Sequence, residues 1–187
     1  MILVYGGAFN PPTKAHKIIY ETLIGMYQPS LFIFLPVGKS YPKGGLIEFT
    51  HRKAMLELMT LKHPKVIISD FEQTPLFKGS ISALDYFKQT YHEPVKFILG
   101  LDNLLDLPNW IDYERLIAEN QFIAIDRNGS AKDTILTMYE TYQDHFDVIN
   151  LDLKVSSSLF RSNPTKYQDM IESSILNYIE KHHLYGV

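Results

Sequence analysis

The sequence predicts an α/β fold, a Rossmann-like doubly wound parallel sheet with helices on both faces. Three observations carry this expectation. Short β-branched and aromatic runs alternate with segments of helical period, turn residues separate the two, and the runs are almost continuously apolar rather than alternating. Strands of the last kind are hidden on both faces, as helices on both sides of a sheet would hide them.

In chain order, Ile2-Leu3-Val4-Tyr5 is the first strand, and Gly6-Gly7 turn it toward a helix over 16–26. The run Leu31-Phe32-Ile33-Phe34-Leu35-Pro36 is the second strand, with a helix over 50–62 behind it. Strands over 65–69, 95–99, 122–125 and 147–150 follow, interleaved with helices over 80–91, 113–119 and 131–144, and a helix over 167–183 ends the chain. No repeat, low-complexity tract or linker divides the 187 residues, and 45% hydrophobic content suits one well-buried core. The expectation is a single domain over 1–187, with the C-terminal helical segment from about 157 packed on it.

Composition excludes several functions. A formal net charge of -3 offers no bulk attraction to nucleic acid or an anionic membrane, so any phosphate site is local. The absence of cysteine rules out disulfides, thiolate metal sites and a cysteine nucleophile. The N-terminal apolar run breaks at Gly6, too early for a signal peptide or a membrane span, and a soluble cytoplasmic protein is expected. A homo-oligomer is compatible with all of this.

Ligands of doubly wound sheets bind beyond the carboxyl ends of the strands, so motifs there come first. The first strand runs into Gly6-Gly7-Ala8-Phe9-Asn10-Pro11-Pro12-Thr13-Lys14-Ala15-His16. Backbone N–H groups of Gly7 and Ala8, the Thr13 hydroxyl and the His16 imidazole at a helix start all suit phosphate oxygens, although Gly-Gly alone is equally a turn and His16 equally a capping residue. Far along the chain, Val155-Ser156-Ser157-Ser158-Leu159-Phe160-Arg161 places serines where they cap a helix and returns an arginine to the same end one turn later. This is an anion site or a plain capped helix with a solvated arginine. Asp102, after Gly100, accepts ribose hydroxyl protons or caps the following helix. Trp110 stacks on a flat ring or packs in the core. Arg52 and Arg127 are ligand contacts or surface charges.

Taken as a pair, the first two segments resemble the GG(T/S)F(D/N)P-x-(H/T)-x-G-H and ISSTxIR signatures of the nucleotidyltransferase superfamily. The stretch 97–110 is similar to the GxDxLxxLPxW stretch of bacterial nicotinate-nucleotide adenylyltransferases, and 178–186 to their terminal helix. Departures lie at Thr13 and Ala15, at Ser82 where the family's SYTxDTL segment carries an aspartate, and in the loop Pro36-Val37-Gly38-Lys39-Ser40-Tyr41-Pro42-Lys43, which lacks the family's histidine.

The resemblance implies that the phosphate of nicotinate mononucleotide attacks the α-phosphorus of ATP in line and expels pyrophosphate. It assigns His16, Thr13 and Arg161 to catalysis. It assigns Gly7, Ala8, Phe9, His16, Lys43, Gly100, Asp102, Ser157, Ser158 and Arg161 to ATP, and Asn10, Gly79, Ser80, Trp110 and Arg127 to the acceptor. Mg2+ is expected to arrive with ATP, with no protein ligand to the metal. The alternatives are a nicotinamide mononucleotide or other phosphorylated acceptor, or a nucleotide sensor without turnover. A redox Rossmann protein is disfavoured by the missing GxGxxG.

Overall fold

A computed structural model of the chain describes residues 1–38, 45–61, 63–127 and 129–187. Six strands form one parallel sheet: β1 (Ile2–Gly7), β2 (Leu31–Pro36), β3 (Val66–Ile68), β4 (Val95–Gly100), β5 (Gln121–Asp126) and β6 (Phe146–Asn150). Their order is β3-β2-β1-β4-β5-β6. In the central register Val4 lies opposite Ile33 on one side and Phe97 on the other. Strand order reverses between β1 and β4, and a crevice opens beyond their carboxyl ends at such a point.

Alternate residues of β1 feed two cores, as the period of two in a strand requires. Ile2 and Val4 join a cluster with α3 (Ser80–Tyr91), α4 (Leu101–Asp106), α5 (Tyr113–Glu119) and α6 (Ala131–Met138). Leu3 and Tyr5 join the opposite cluster with α1 (Lys14–Tyr27), α2 (Phe49–Thr60), α7 (Ser157–Ser162) and α8 (Ser173–Lys181). Phe160, Ile175 and Ile179 carry the C-terminal segment into this second core and are fully buried. No helix among the described residues is long and apolar enough to cross a membrane.

Two expected helices are shorter than their periodicity suggests, each for a local reason. The helix expected over 131–144 stops at Met138, because Tyr139 turns inward and its hydroxyl donates to the Leu104 carbonyl at 2.6 Å. Residues Glu140–His145 continue as a 3-10 turn. The helix expected over 167–183 is interrupted by Ile171, which is extended at φ -112° so that its side chain reaches the second core. Only α8 beyond it is α-helical.

Candidate active site

The first strand ends where side chains are not tolerated. A Cβ on Gly6 would come within 2.8 Å of the Phe97 ring, and one on Gly7 within 3.0 Å of the Phe9 ring. Phe9 sits in the left-handed region at φ 47°, an uncommon place for a bulky residue. Edge-to-face contacts with Tyr5, Phe34 and His16 hold it there. Its ring is part of the core, so at Phe9 only the backbone is left to approach a nucleotide.

Thr13 is the N-cap of α1 and is fully buried. Its backbone N–H donates to Nδ1 of His16 at 2.9 Å, and its hydroxyl lies 2.9 Å from the same nitrogen. A nitrogen that accepts an N–H carries no proton, so the neutral ring bears its hydrogen on Nε2. Burial, with the nearby Arg127 guanidinium adding to it, pushes the imidazole down to about 3. His16 is therefore a neutral donor at pH 7. Thr13, expected beside the phosphates, holds His16 and is not among the residues that line the cavity.

That cavity, of about 290 Å3, opens at the switch point between β1 and β4. Gly6, Gly7 and His16 form one wall, Gly100 and Asp102 another, and Arg127 stands beyond the end of β5. Gly100 is the N-cap residue of α4, with Asp102 exposed in the first turn, so the capping role that the sequence left open for Asp102 falls to Gly100. A Cβ on Gly100 would meet nothing within 4 Å, which leaves this wall open to a ligand.

The second signature packs directly on the first. Ser156 caps α7, accepting the Leu159 N–H at 3.1 Å. Ser157 donates to the Pro11 carbonyl at 2.8 Å, and Arg161 donates to the Asn10 carbonyl while reaching Ser158 Oγ at 3.4 Å. Segments some 146 residues apart thus share one turn. Asn10 is itself a node: its amide donates to the Gly45 carbonyl, and its Oδ1 accepts from the Tyr185 hydroxyl at 2.8 Å. The side chain of Asn10, a residue expected at the acceptor, makes these hydrogen bonds inside the protein.

Sequence reasoning also left Arg52 undecided and overlooked what it does. It is 1% exposed and donates to the carbonyls of Ile47, Ala8 and Val37 at 3.1, 3.0 and 2.9 Å, tying the β1 turn to both flanks of the 39–44 segment. Lys43 and Lys39 belong to that segment and lie outside the described residues. The signal was present, since Arg52 shares a helical face with Met55, Leu56 and Met59.

The remaining candidates form a second group that reaches Phe97 through Trp110. Trp110 meets the Phe97 ring edge-on at 6.2 Å and donates from Nε1 to Asp106 at 3.2 Å. Its neighbour Ile111 contacts Gly79, where a Cβ would come within 2.9 Å and φ is +85°. Gly79 is the N-cap residue of α3, with Ser80 next, and the Ser82 hydroxyl closes this turn on the Gly79 carbonyl. Among the described residues no group of three or more His, Asp or Glu side chains is placed to hold a metal.

Comparison with known proteins agrees with this fold. The cytidylyltransferase-like family model matches residues 4–163. A probable nicotinate-nucleotide adenylyltransferase of Acholeplasma laidlawii is 34% identical over 99% of this chain and 97% of its own. One of Carboxydothermus hydrogenoformans is 27% identical over 97% of this chain and 96% of its own. Among solved structures, the Plasmodium falciparum nicotinic acid mononucleotide adenylyltransferase complexed with NaAD superposes with a TM-score of 0.80, covering 98% of this chain and 96% of that one at 23% identity. That last likeness is one of fold.

Two measurements check the site. Arg52→Lys keeps a charge but cannot span three carbonyls, and it should lower unfolding stability in urea by about 3 kcal/mol; a loss within error of zero would contradict the clamp. His16 binds a proton in the unfolded chain below 6.5 but in the folded chain only near 3, so folding stability falls as pH drops between those values. Urea titrations over that window should show the wild type losing stability relative to His16→Gln; parallel curves would contradict an imidazole held neutral.

Proposed function

The chain belongs to the cytidylyltransferase-like family, and we infer that within it the protein is a nicotinate-nucleotide adenylyltransferase. It transfers the adenylyl group of ATP to the phosphate of nicotinate mononucleotide, giving nicotinate adenine dinucleotide and pyrophosphate. The observation that carries the reading is the neutral His16, turned by Thr13 into a cavity between two glycine-lined strand ends.

The attacking phosphate is already an anion, so no general base is required. The protein's task is to align two highly charged groups and to meet charge that grows on the α-phosphate and the leaving group. His16 Nε2–H serves the bridging region of the triphosphate. Arg161, with Ser157 and Ser158 at the start of α7, serves the outer phosphates, and Ser157 can do so while its hydroxyl holds Pro11 because its backbone N–H lies in the first turn. Gly7, Ala8 and Gly100 let backbone approach the nucleotide, and Asp102 accepts from its ribose. Magnesium arrives with ATP, held by phosphates and water. A cysteine-free chain working on ATP suits the cytoplasm.

On the acceptor side, Trp110 supplies the stacking face, and the N-terminus of α3 after Gly79 directs backbone N–H groups at the ring substituent. Arg127 adds charge beside the mononucleotide phosphate. Donors favour a carboxylate, which accepts hydrogen bonds and offers none, over an amide whose NH2 would face them. Turnover efficiency compared on nicotinate and nicotinamide mononucleotides, with products identified by mass, should favour the acid at least about tenfold. Trp110→Ala should depress both reactions. Equal use of acid and amide would contradict the assigned contacts, and indifference to Trp110 would remove the stacking face.

A further inference from the structure

Tyr5 is a side chain that neither signature explains. It is 6% exposed, and it lines the same cavity as His16 and Arg127. Its ring is held on all sides, by Phe9 at 5.3 Å, Phe34 at 5.9 Å, His16 at 6.1 Å and Phe32 at 6.5 Å between centroids. Everything that packs the ring would pack a phenylalanine equally well. The hydroxyl, by contrast, has no hydrogen-bond partner among the described residues. It is not sealed either, because the one sealed side-chain polar atom without a partner there is Oδ1 of Asn120. An unpartnered hydroxyl on an otherwise buried ring that lines a cavity opens into that cavity.

We propose that Tyr5 contacts the nucleotide, its hydroxyl donating to a phosphate oxygen of bound ATP beside the one met by His16. The class of ligand atom follows from the neighbours. His16, Arg127 and Tyr5 line the cavity as neighbours, with the Tyr5 and His16 rings 6.1 Å apart and Arg127 close enough to act on both, and all can donate; the carboxylate acceptor Asp102 lines it too. Converging donors suit an oxyanion, and Asp102 suits a ribose. Burial, opposed by Arg127, pushes the phenol up to about 12, so it remains a donor throughout the working pH range. In the ligand-free protein the hydroxyl faces the cavity without a partner among the described residues, and a bound phosphate oxygen supplies one.

The inference rests on the proposed nucleotide site, and its test is a binding measurement so that the two can fail separately. Calorimetric titration of wild type and Tyr5→Phe with α,β-methylene ATP and with adenosine should show about tenfold weaker binding of the triphosphate analogue by the variant and equal binding of adenosine. The melting temperature of the variant should be unchanged or higher, because the hydroxyl makes no hydrogen bond among the described residues that the substitution would remove. Equal affinity of both proteins for the analogue would overturn the proposal. So would an equal loss for adenosine, which would put the contact on base or sugar, or a lowered melting temperature, which would make the hydroxyl structural. A wild type that binds the analogue but fails to turn over nicotinate mononucleotide would sink the proposed reaction and leave the Tyr5 contact standing.

Discussion

The hydrogen bond from the Thr13 backbone to Nδ1 of His16 decides what the site can do. It uses an N–H that the first turn of α1 would otherwise leave unsatisfied, and in doing so it fixes both the ring orientation and the position of the one remaining proton. A threonine with an intact hydroxyl at the cap adds a second contact to the same nitrogen. The aromatic side chains of Tyr5 and Phe9 and the Arg127 charge then make protonation of the ring unfavourable. The outcome is a neutral donor that lines the cavity at the switch point, where the proposed reaction would gather negative charge. It needs no proton transfer to work, which matches a reaction whose nucleophile is already ionised.

Such a donor is useful only if the turn that carries it stays put, and the turn has little internal structure to hold it. The chain supplies the restraint from outside. Arg52 takes the carbonyls of Ala8, Val37 and Ile47, Arg161 takes that of Asn10, and Ser157 takes that of Pro11. Tyr185, two residues from the last, locks the Asn10 side chain. Burying the Arg52 guanidinium is expensive in isolation and acceptable because three carbonyl dipoles replace its water. The same contacts bring β1, the start of α2, α7 and the C-terminal turn to one point, so the catalytic geometry and the docking of the C-terminal segment are a single packing problem.

Much of this was legible beforehand. Apolar runs marked all six strands, and Gly6-Gly7, His16, Asp102 and Arg161 were marked by residue types that suit phosphate and ribose at strand ends. Periodicity failed where a single side chain had a better use than continuing a helix, as with Tyr139 and Ile171. At the site, identity alone did not separate residues that face a ligand from residues that orient them. Thr13, Asn10 and Phe9 carry groups suited to a nucleotide, yet the turn consumes the hydroxyl, the amide and the ring internally. Arg52 was the reverse case, a charge whose place among Met55, Leu56 and Met59 already signalled burial. Tyr5 was hidden by its strand, where an aromatic residue calls for no explanation until its hydroxyl is located.

We propose that His16 remains neutral, unprotonated at Nδ1, and meets the nucleotide through Nε2–H. Long-range 15N–1H correlation spectra of the histidine side chains, recorded across the acidic pH range with and without α,β-methylene ATP, test it directly. His16 should give a signal of the Nε2–H tautomer that shows no protonation step near 6.5 and whose Nε2 resonance shifts when the analogue binds. A ring that titrates near 6.5, or that carries its proton on Nδ1, would contradict it.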